Sequence, residues 1–175
     1  FRNGRGEATA AASHQPGMDY TIDLSQPGGW DLPDSGAGID AAFICSAVSS
    51  LDRCREDWAA THRFNVENTI TLIDRLADLG IRPVFCSSDQ VFRGDRGGYT
   101  ERDTPDPQTA YGRQKQAVER HILDCHPAGV VMRMGKLFGP PAEDTSPIRQ
   151  TIETLAMGQE VRAASDMWLT LTHVD

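Results

Sequence analysis

The sequence has no excess of positive charge, no long apolar run and no paired-cysteine motif, and each absence removes a class of function. Its formal net charge is −8, so nonspecific attraction to nucleic acid or to an anionic membrane surface is not its main business. An anionic nucleotide can still be held locally by arginines and helix N-termini. No apolar stretch approaches the ~18 residues that cross a bilayer, and no secretory signal is visible. The four cysteines, at 45, 54, 86 and 125, form no CxxC pair. Cys45 and Cys86 fall inside apolar runs, where a free thiol behaves as a small hydrophobe. That pattern favours neither a metal site nor a disulfide, and it fits a reducing cytoplasm. A starting methionine is also lacking, and the ends at Phe1 and Asp175 do not look like natural termini. The sequence is therefore read as a piece of a longer protein.

What is present is an ordinary globular composition, 39% hydrophobic and 24% charged. Residues 1–17 show no apolar period and read as loop or poorly ordered helix. Residues 18–24 alternate enough for a short strand, and the Pro- and Gly-rich stretch 25–38 is a loop. The continuous apolar runs at 41–48, 82–88 and 129–134 suit strands covered on both faces, as in a parallel sheet. Between them lie helical stripes. One covers 55–79, with Trp58, His62, Asn65, Val66, Ile70, Ile73 and Leu76 inward and Gly80 as its C-terminal cap. A second covers 109–126, with Ala110, Ala117, Val118, Ile122 and Leu123 inward. A third, 146–157, carries Pro147 near its start, where a missing N–H costs nothing. Strands alternating with helices predict an α/β fold, a Rossmann-like doubly wound parallel sheet. Ligands bind such sheets beyond the carboxyl ends of the strands, just after Val48, Phe85 and Met134.

The strongest chemical signal is Tyr111-Gly112-Arg113-Gln114-Lys115. Tyr and Lys four apart share a helix face, so an ammonium can lie near a phenol. A nearby positive charge would lower the tyrosine pKa from about 10, which suits a proton donor to a carbonyl that accepts hydride. The pattern by itself also describes an exposed tyrosine lying on a lysine stem. Context raises its value: Ser87 and Ser88 stand at the carboxyl end of a predicted strand, upstream of the Tyr/Lys helix.

In this order the motifs resemble the extended short-chain dehydrogenase/reductase family. Within it the chain is most similar to dTDP-4-dehydrorhamnose reductases and their relatives. The row Ser87-Ser88-Asp89-Gln90-Val91-Phe92-Arg93-Gly94, then Tyr99-Thr100-Glu101 and Pro107-Gln108-Thr109-Ala110-Tyr111-Gly112, carries the likeness, and Leu171-Thr172-His173-Val174-Asp175 extends it. The resemblance implies NADP or NAD as cofactor and a nucleotide sugar as substrate. It gives Ser88 the role of polarising the substrate carbonyl and Tyr111 that of acid/base. Lys115 tunes Tyr111 and holds the nicotinamide ribose. By the same likeness Arg2 lies near the adenosine ribose, and Asp23 and Leu24 contact adenine. Ser46, Ala47 and Val48 line the cofactor, where Cys45 replaces the family's Asn. Asp89, Gln90, Val91 and Phe92 approach the substrate, and Asn65, buried on its helix, is a structural clamp. Dehydratases of the family place Glu where this chain has Gln90, and an amide cannot abstract a proton.

The family's GxxGxxG phosphate loop is absent from the sequence. The expected organisation is residues 1–135 as a partial nucleotide-binding domain lacking its first strand and helix, and 136–175 as the start of a substrate-binding region. Without a central first strand, the sheet should bare an apolar edge, and the isolated chain should fold poorly and bind dinucleotide weakly. The leading function is NAD(P)H-dependent reduction of a 4-keto sugar nucleotide in the cytoplasm, without nucleic acid or membrane as partner. The alternatives are a nucleotide-sugar epimerase using the same triad, and a non-catalytic regulatory subunit like the one that modulates methionine adenosyltransferase. A homodimer is left open.

Overall fold

The computed structural model describes residues 12–13, 20–34, 38–138, 147–161 and 170–173. Two short strands, β1 (Ala12–Ser13) and β2 (Tyr20–Thr21), pair in parallel. The central sheet contains β3 (Ala41–Ile44), β4 (Arg82–Ser88) and β5 (Val130–Met134), parallel and adjacent in that order. Register sets Ile44 beside Phe85 and Phe85 beside Val131. This row faces the helices, so the core gathers Ile44 and Phe85 with Val66, Ile73, Leu76, Val118 and Ile122. The alternate row is Phe43, Val84 and Val130. There Phe43 is 66% exposed and Val130 39% exposed, while Val84 between them is buried. The fold is α/β and Rossmann-like, with a parallel sheet of three strands.

The stripe read as one helix over 55–79 is broken into α1 (Leu51–Glu56), α2 (Trp58–His62), a π-helical turn (Arg63–Asn68) and α3 (Thr69–Asp78). Ser50 caps α1 by accepting from the Arg53 N–H, and Asp57 starts α2 by accepting from the Ala60 N–H. The break at Asp57 turns Trp58 outward to 42% exposure, against the inward position its spacing suggests. Gly80 closes α3 at φ +77°, the left-handed conformation the cap requires. The first buried strand is also shorter than its apolar run, ending at Ile44.

The next helix, α4 (Ala110–Cys125), agrees with the sequence reading to within a residue, and Thr109 caps it by accepting from the Gly112 N–H at 3.0 Å. Its inward face is rotated, however: Gln114, Lys115, Val118, Glu119 and Ile122 are buried, while Leu123 is 67% exposed. Beyond β5, β6 (Lys136–Phe138) pairs in parallel with β7 (Leu171–His173). Between them lies α5 (Pro147–Ala156), which begins at its proline as expected.

Candidate active site

The carboxyl end of β4 runs directly into a 3-10 turn, Asp89–Val91, capped by Ser88. The Ser88 hydroxyl accepts from the Gln90 N–H at 3.2 Å and lies 3.1 Å from Asp89 Oδ1, to which it can donate. The first turn of α4 packs on this turn through Gly112. A Cβ at that position would lie 2.1 Å from the Gln90 carbonyl oxygen, so only glycine permits the approach. Sequence thereby joins Ser88 and Tyr111: one ends a strand, the other begins a helix, and a missing side chain lets the two backbones touch.

Tyr111 is half-buried, with the Lys115 ammonium 5.7 Å from its ring centroid. Lys115 itself is 3% exposed, donates to the Cys86 carbonyl at 2.8 Å and lies 4.4 Å from the Phe85 ring centroid. The electrostatics differ from the expected lowering of the phenol pKa. Burial, then the nearby Cys54 and Asp89, push the Tyr111 phenol up to about 12. Helical spacing does put the pair on one face, but the ammonium is drawn to the sheet carbonyl, and desolvation of the ring outweighs its attraction. Burial also pulls the Lys115 ammonium down to about 8, partly offset by Cys86, Cys45 and Glu119. Tyr111 is thus held as a neutral phenol throughout the neutral range.

Behind these groups, the loop after β3 is fixed by Asn65 from the π-helical turn. Its Oδ1 accepts from the Val48 N–H at 2.8 Å, and its Nδ2 donates to the Val48 carbonyl at 2.9 Å and to Gln114 Oε1 at 2.8 Å. Gln114 passes the chain on to Thr61 Oγ1 at 3.0 Å, and the buried Cys54 thiol donates to the Val48 carbonyl at 3.2 Å. The clamp read from the sequence is present, and π-helical turns often mark functional sites. Replacing Asn65 by Leu would take the Asn65 partner from the Val48 N–H and from Gln114 Oε1, each costing about 1–3 kcal/mol, while the Val48 carbonyl keeps Cys54. We expect Asn65→Leu to lower stability by about 3 kcal/mol, measured by urea unfolding. A change below about 1 kcal/mol would show that water or relaxation satisfies those groups.

The clamped segment presents exposed Ser46 and half-buried Ala47 and Val48 at the carboxyl end of the sheet. Cys45, in place of the family's Asn, sets its sulfur 3.4 Å from that of Cys86. Burial, then Cys45, raises the Cys86 thiol to about 11, so it stays neutral.

Asp23 accepts from the Ser25 N–H at 2.8 Å and from the Ser25 hydroxyl at 2.7 Å, folding the turn after β2. The side chain of Leu24 is buried in the core, which leaves less of it for a ligand than the sequence suggests. Asn68 holds this turn by donating to the Leu24 carbonyl at 2.6 Å. Asp89 and Gln90 remain half-buried at the surface of the 3-10 turn. Val91 is fully buried where the chain folds back, and the Asp106 N–H bonds its carbonyl at 2.9 Å. Phe92 stacks on Tyr99 at 4.5 Å and lies beneath the Arg133 guanidinium at 4.9 Å. Arg2 lies outside the described residues.

Sequence reading missed a second polar network under the site. Ser87 donates to Glu119, which is 2% exposed, and Arg133 forks onto the same carboxylate with contacts of 3.0, 3.1 and 2.7 Å. The signal available was Glu119 standing four residues after Lys115 in the apolar stripe of α4. These buried pairs fix Ser87, and with it the end of β4 that carries Ser88.

The donor set suits a ribose hydroxyl pair beside Tyr111. Lys115 has three N–H groups, of which the Cys86 carbonyl takes one among the described residues.

The sequence profile of the family described as the RmlD substrate binding domain matches residues 22–175. A Streptomyces antibioticus protein named "Probable dTDP-4,6-dihydroxy-2-methyloxan-3-one 4-ketoreductase" is 33% identical over 129 residues, 70% of this chain and 41% of the relative. Methionine adenosyltransferase 2 subunit beta of Rattus norvegicus is 32% identical over 95 residues, 54% of this chain and 28% of its own. The crystal structure of dTDP-4-dehydrorhamnose reductase from Bacillus anthracis in complex with NADP superposes with a TM-score of 0.59 at 25% identity. It covers 67% of this chain and 41% of that one. The chain spans less than half the length of each of these proteins.

Proposed function

Because this chain belongs to the RmlD substrate binding domain family, we propose that the protein carrying it reduces a 4-keto sugar nucleotide with NADPH or NADH. The observation that carries the reading is the half-buried neutral phenol of Tyr111, set beside the Lys115 ammonium on the helical turn whose Gly112 packs on the turn that Ser88 begins. The relatives named as ketoreductase and as dTDP-4-dehydrorhamnose reductase with NADP support substrate class and cofactor. In this reading residues 1–135 are the nucleotide-binding part and 136–175 open the substrate-binding part. The four free thiols suit a reducing cytoplasm.

The dinucleotide, when bound, supplies hydride to the ketone carbon. Tyr111 delivers its proton to the oxygen as charge develops there, and Ser88 turns its hydroxyl from Asp89 to the same oxygen. Lys115 keeps one donor on the Cys86 carbonyl and offers the others to the ribose. Asn65 fixes the wall formed by Ala47 and Val48. Gln90 has no carboxylate with which to abstract a proton beside the ketone, so the site reduces rather than dehydrates.

The test is NADPH oxidation by the purified protein, followed by absorbance. Oxidation that requires a 4-keto sugar nucleotide and yields the 4-hydroxy product is the expected result. Tightly retained NAD with interconversion of C4 epimers and no net turnover would instead mark an epimerase.

A further inference from the structure

Ten residues along α4 from Tyr111, or about 15 Å, α3 and α4 are joined by a cluster with no part in the chemistry above. Asp74 of α3 presents Oδ1 to His121 Nε2 at 2.6 Å and to His126 Nε2 at 2.7 Å. His121 lies in the last turns of α4, and His126 is its C-terminal cap. The three ligand atoms all fall within 4.8 Å of one another, and the imidazole rings are 5.3 Å apart. The histidine side chains are only 23% and 16% exposed, while Asp74 is 45% exposed. Burial draws the Asp74 carboxyl upward, but the two imidazole hydrogen bonds outweigh it and hold its pKa below the usual carboxylate value.

A hydrogen-bonded knot between helices would explain either histidine alone. What it does not require is that two imidazole nitrogens, from different turns, aim at the same oxygen of one carboxylate. Both nitrogens stand within 2.7 Å of that oxygen, so the three ligand atoms already surround one small space, and zinc bonds each such atom at about 2.0–2.2 Å. A tetrahedral centre with such bonds sets its ligand atoms about 3.3 Å apart, so Asp74 needs to withdraw by only roughly 0.7 Å. It is the most exposed member and has solvent to move into. Each imidazole would carry its proton on Nδ1 and present Nε2 to the ion.

We propose that Asp74, His121 and His126 form a zinc-type site that clips α3 to α4. Two imidazoles with one carboxylate suit Zn2+ and its late first-row neighbours rather than Mg2+ or Ca2+, which take oxygen ligands. Three protein ligands leave the fourth position to water. Cys125, next to His126 and exposed, is outside the convergent set but could bind zinc by itself, so the test must separate it.

Metal-stripped protein is titrated with ZnCl2 by calorimetry and thermal melting, and with CoCl2 by visible absorption. One equivalent of Zn2+ is expected, raising Tm by roughly 5 °C at 100 times Kd. Co2+ should give visible ligand-field bands without thiolate charge-transfer absorption. His121→Gln, whose amide can still donate to Asp74, and Asp74→Asn should each weaken binding at least tenfold while circular dichroism shows an unchanged fold. Cys125→Ser should bind like the wild type. Absence of saturable binding by the folded wild type, binding that survives His121→Gln, or binding lost in Cys125→Ser would each overturn the site.

Discussion

Tyr111→Phe is expected to lower kcat for keto-sugar reduction by roughly 10²–10⁴-fold, the range a positioned general acid supplies. The ring would remain, so its packing beside Lys115 and Gly112 would be kept; only the proton would go. Burial, Cys54 and Asp89 push the phenol up to about 12, so it is protonated at every pH where the enzyme would work. The oxygen of a ketone receiving hydride becomes an alkoxide, far more basic than a phenol of that pKa, so the transfer runs downhill. The phenol should therefore produce no alkaline limb near neutrality. The limb expected is that of Lys115, which burial lowers to about 8: kcat/KM should fall as pH rises through that value and the ammonium discharges. Steady-state rates of wild type and Tyr111→Phe across pH 6–10 check both statements, a range bracketing the lysine transition. A variant that kept more than a tenth of the wild-type kcat, about 1.4 kcal/mol of barrier, would remove Tyr111 from the acid role.

The sequence made some layers of this arrangement legible and concealed others, for physical reasons. β4 matches its apolar run residue for residue and α4 is capped within one residue of its expected start, because a buried strand and a Thr-capped amphipathic helix leave strong local patterns. Ser88, Tyr111 and Lys115 were readable because their order along the chain carries the chemistry. The rotation of α4 was not. Leu123 looked inward by hydrophobicity, yet Gln114, Lys115 and Glu119 take the inner face because Asn65, the Cys86 carbonyl and Arg133 meet them there. Periodicity scores apolar residues and gives no weight to a polar group whose partner lies on another element. The break at Asp57 was hidden for a related reason: a side chain that can cap a new helix looks, in sequence, like one more solvent-facing polar residue. The pKa of Tyr111 lay beyond sequence for a third, since spacing gives proximity to an ammonium but not the desolvation that opposes it.

Lys115→Met is expected to separate stability from function. In the reductase reading the ammonium offers charged hydrogen bonds to the ribose, each contributing about 1.5–3 kcal/mol. Losing two should reduce kcat/KM by roughly 10²–10⁴-fold. The folded protein itself would gain. Lys115 is 3% exposed and its pKa is depressed from 10.5 to about 8, so below that pH the fold must carry a charge it disfavours, at a cost on the order of 3 kcal/mol. Part of that gain would be lost because methionine leaves the Cys86 carbonyl without its partner, about 1 kcal/mol. The net expectation is a variant about 2 kcal/mol more stable at pH 7 and nearly inactive. The sign is fixed by linkage. Between about pH 8 and 10.5 the unfolded chain binds a proton here that the folded one has released, so wild-type stability rises relative to the variant. The advantage of Lys115→Met should thus be full below pH 8 and shrink as pH rises. Urea unfolding of both proteins at pH 7 and at about pH 10 measures it. A variant less stable than wild type at pH 7 would mean that the bond to Cys86 and the contact with Phe85 outweigh desolvation. Lys115 would then be part of the scaffold, and the cost assigned to holding it ready for a ligand would not exist.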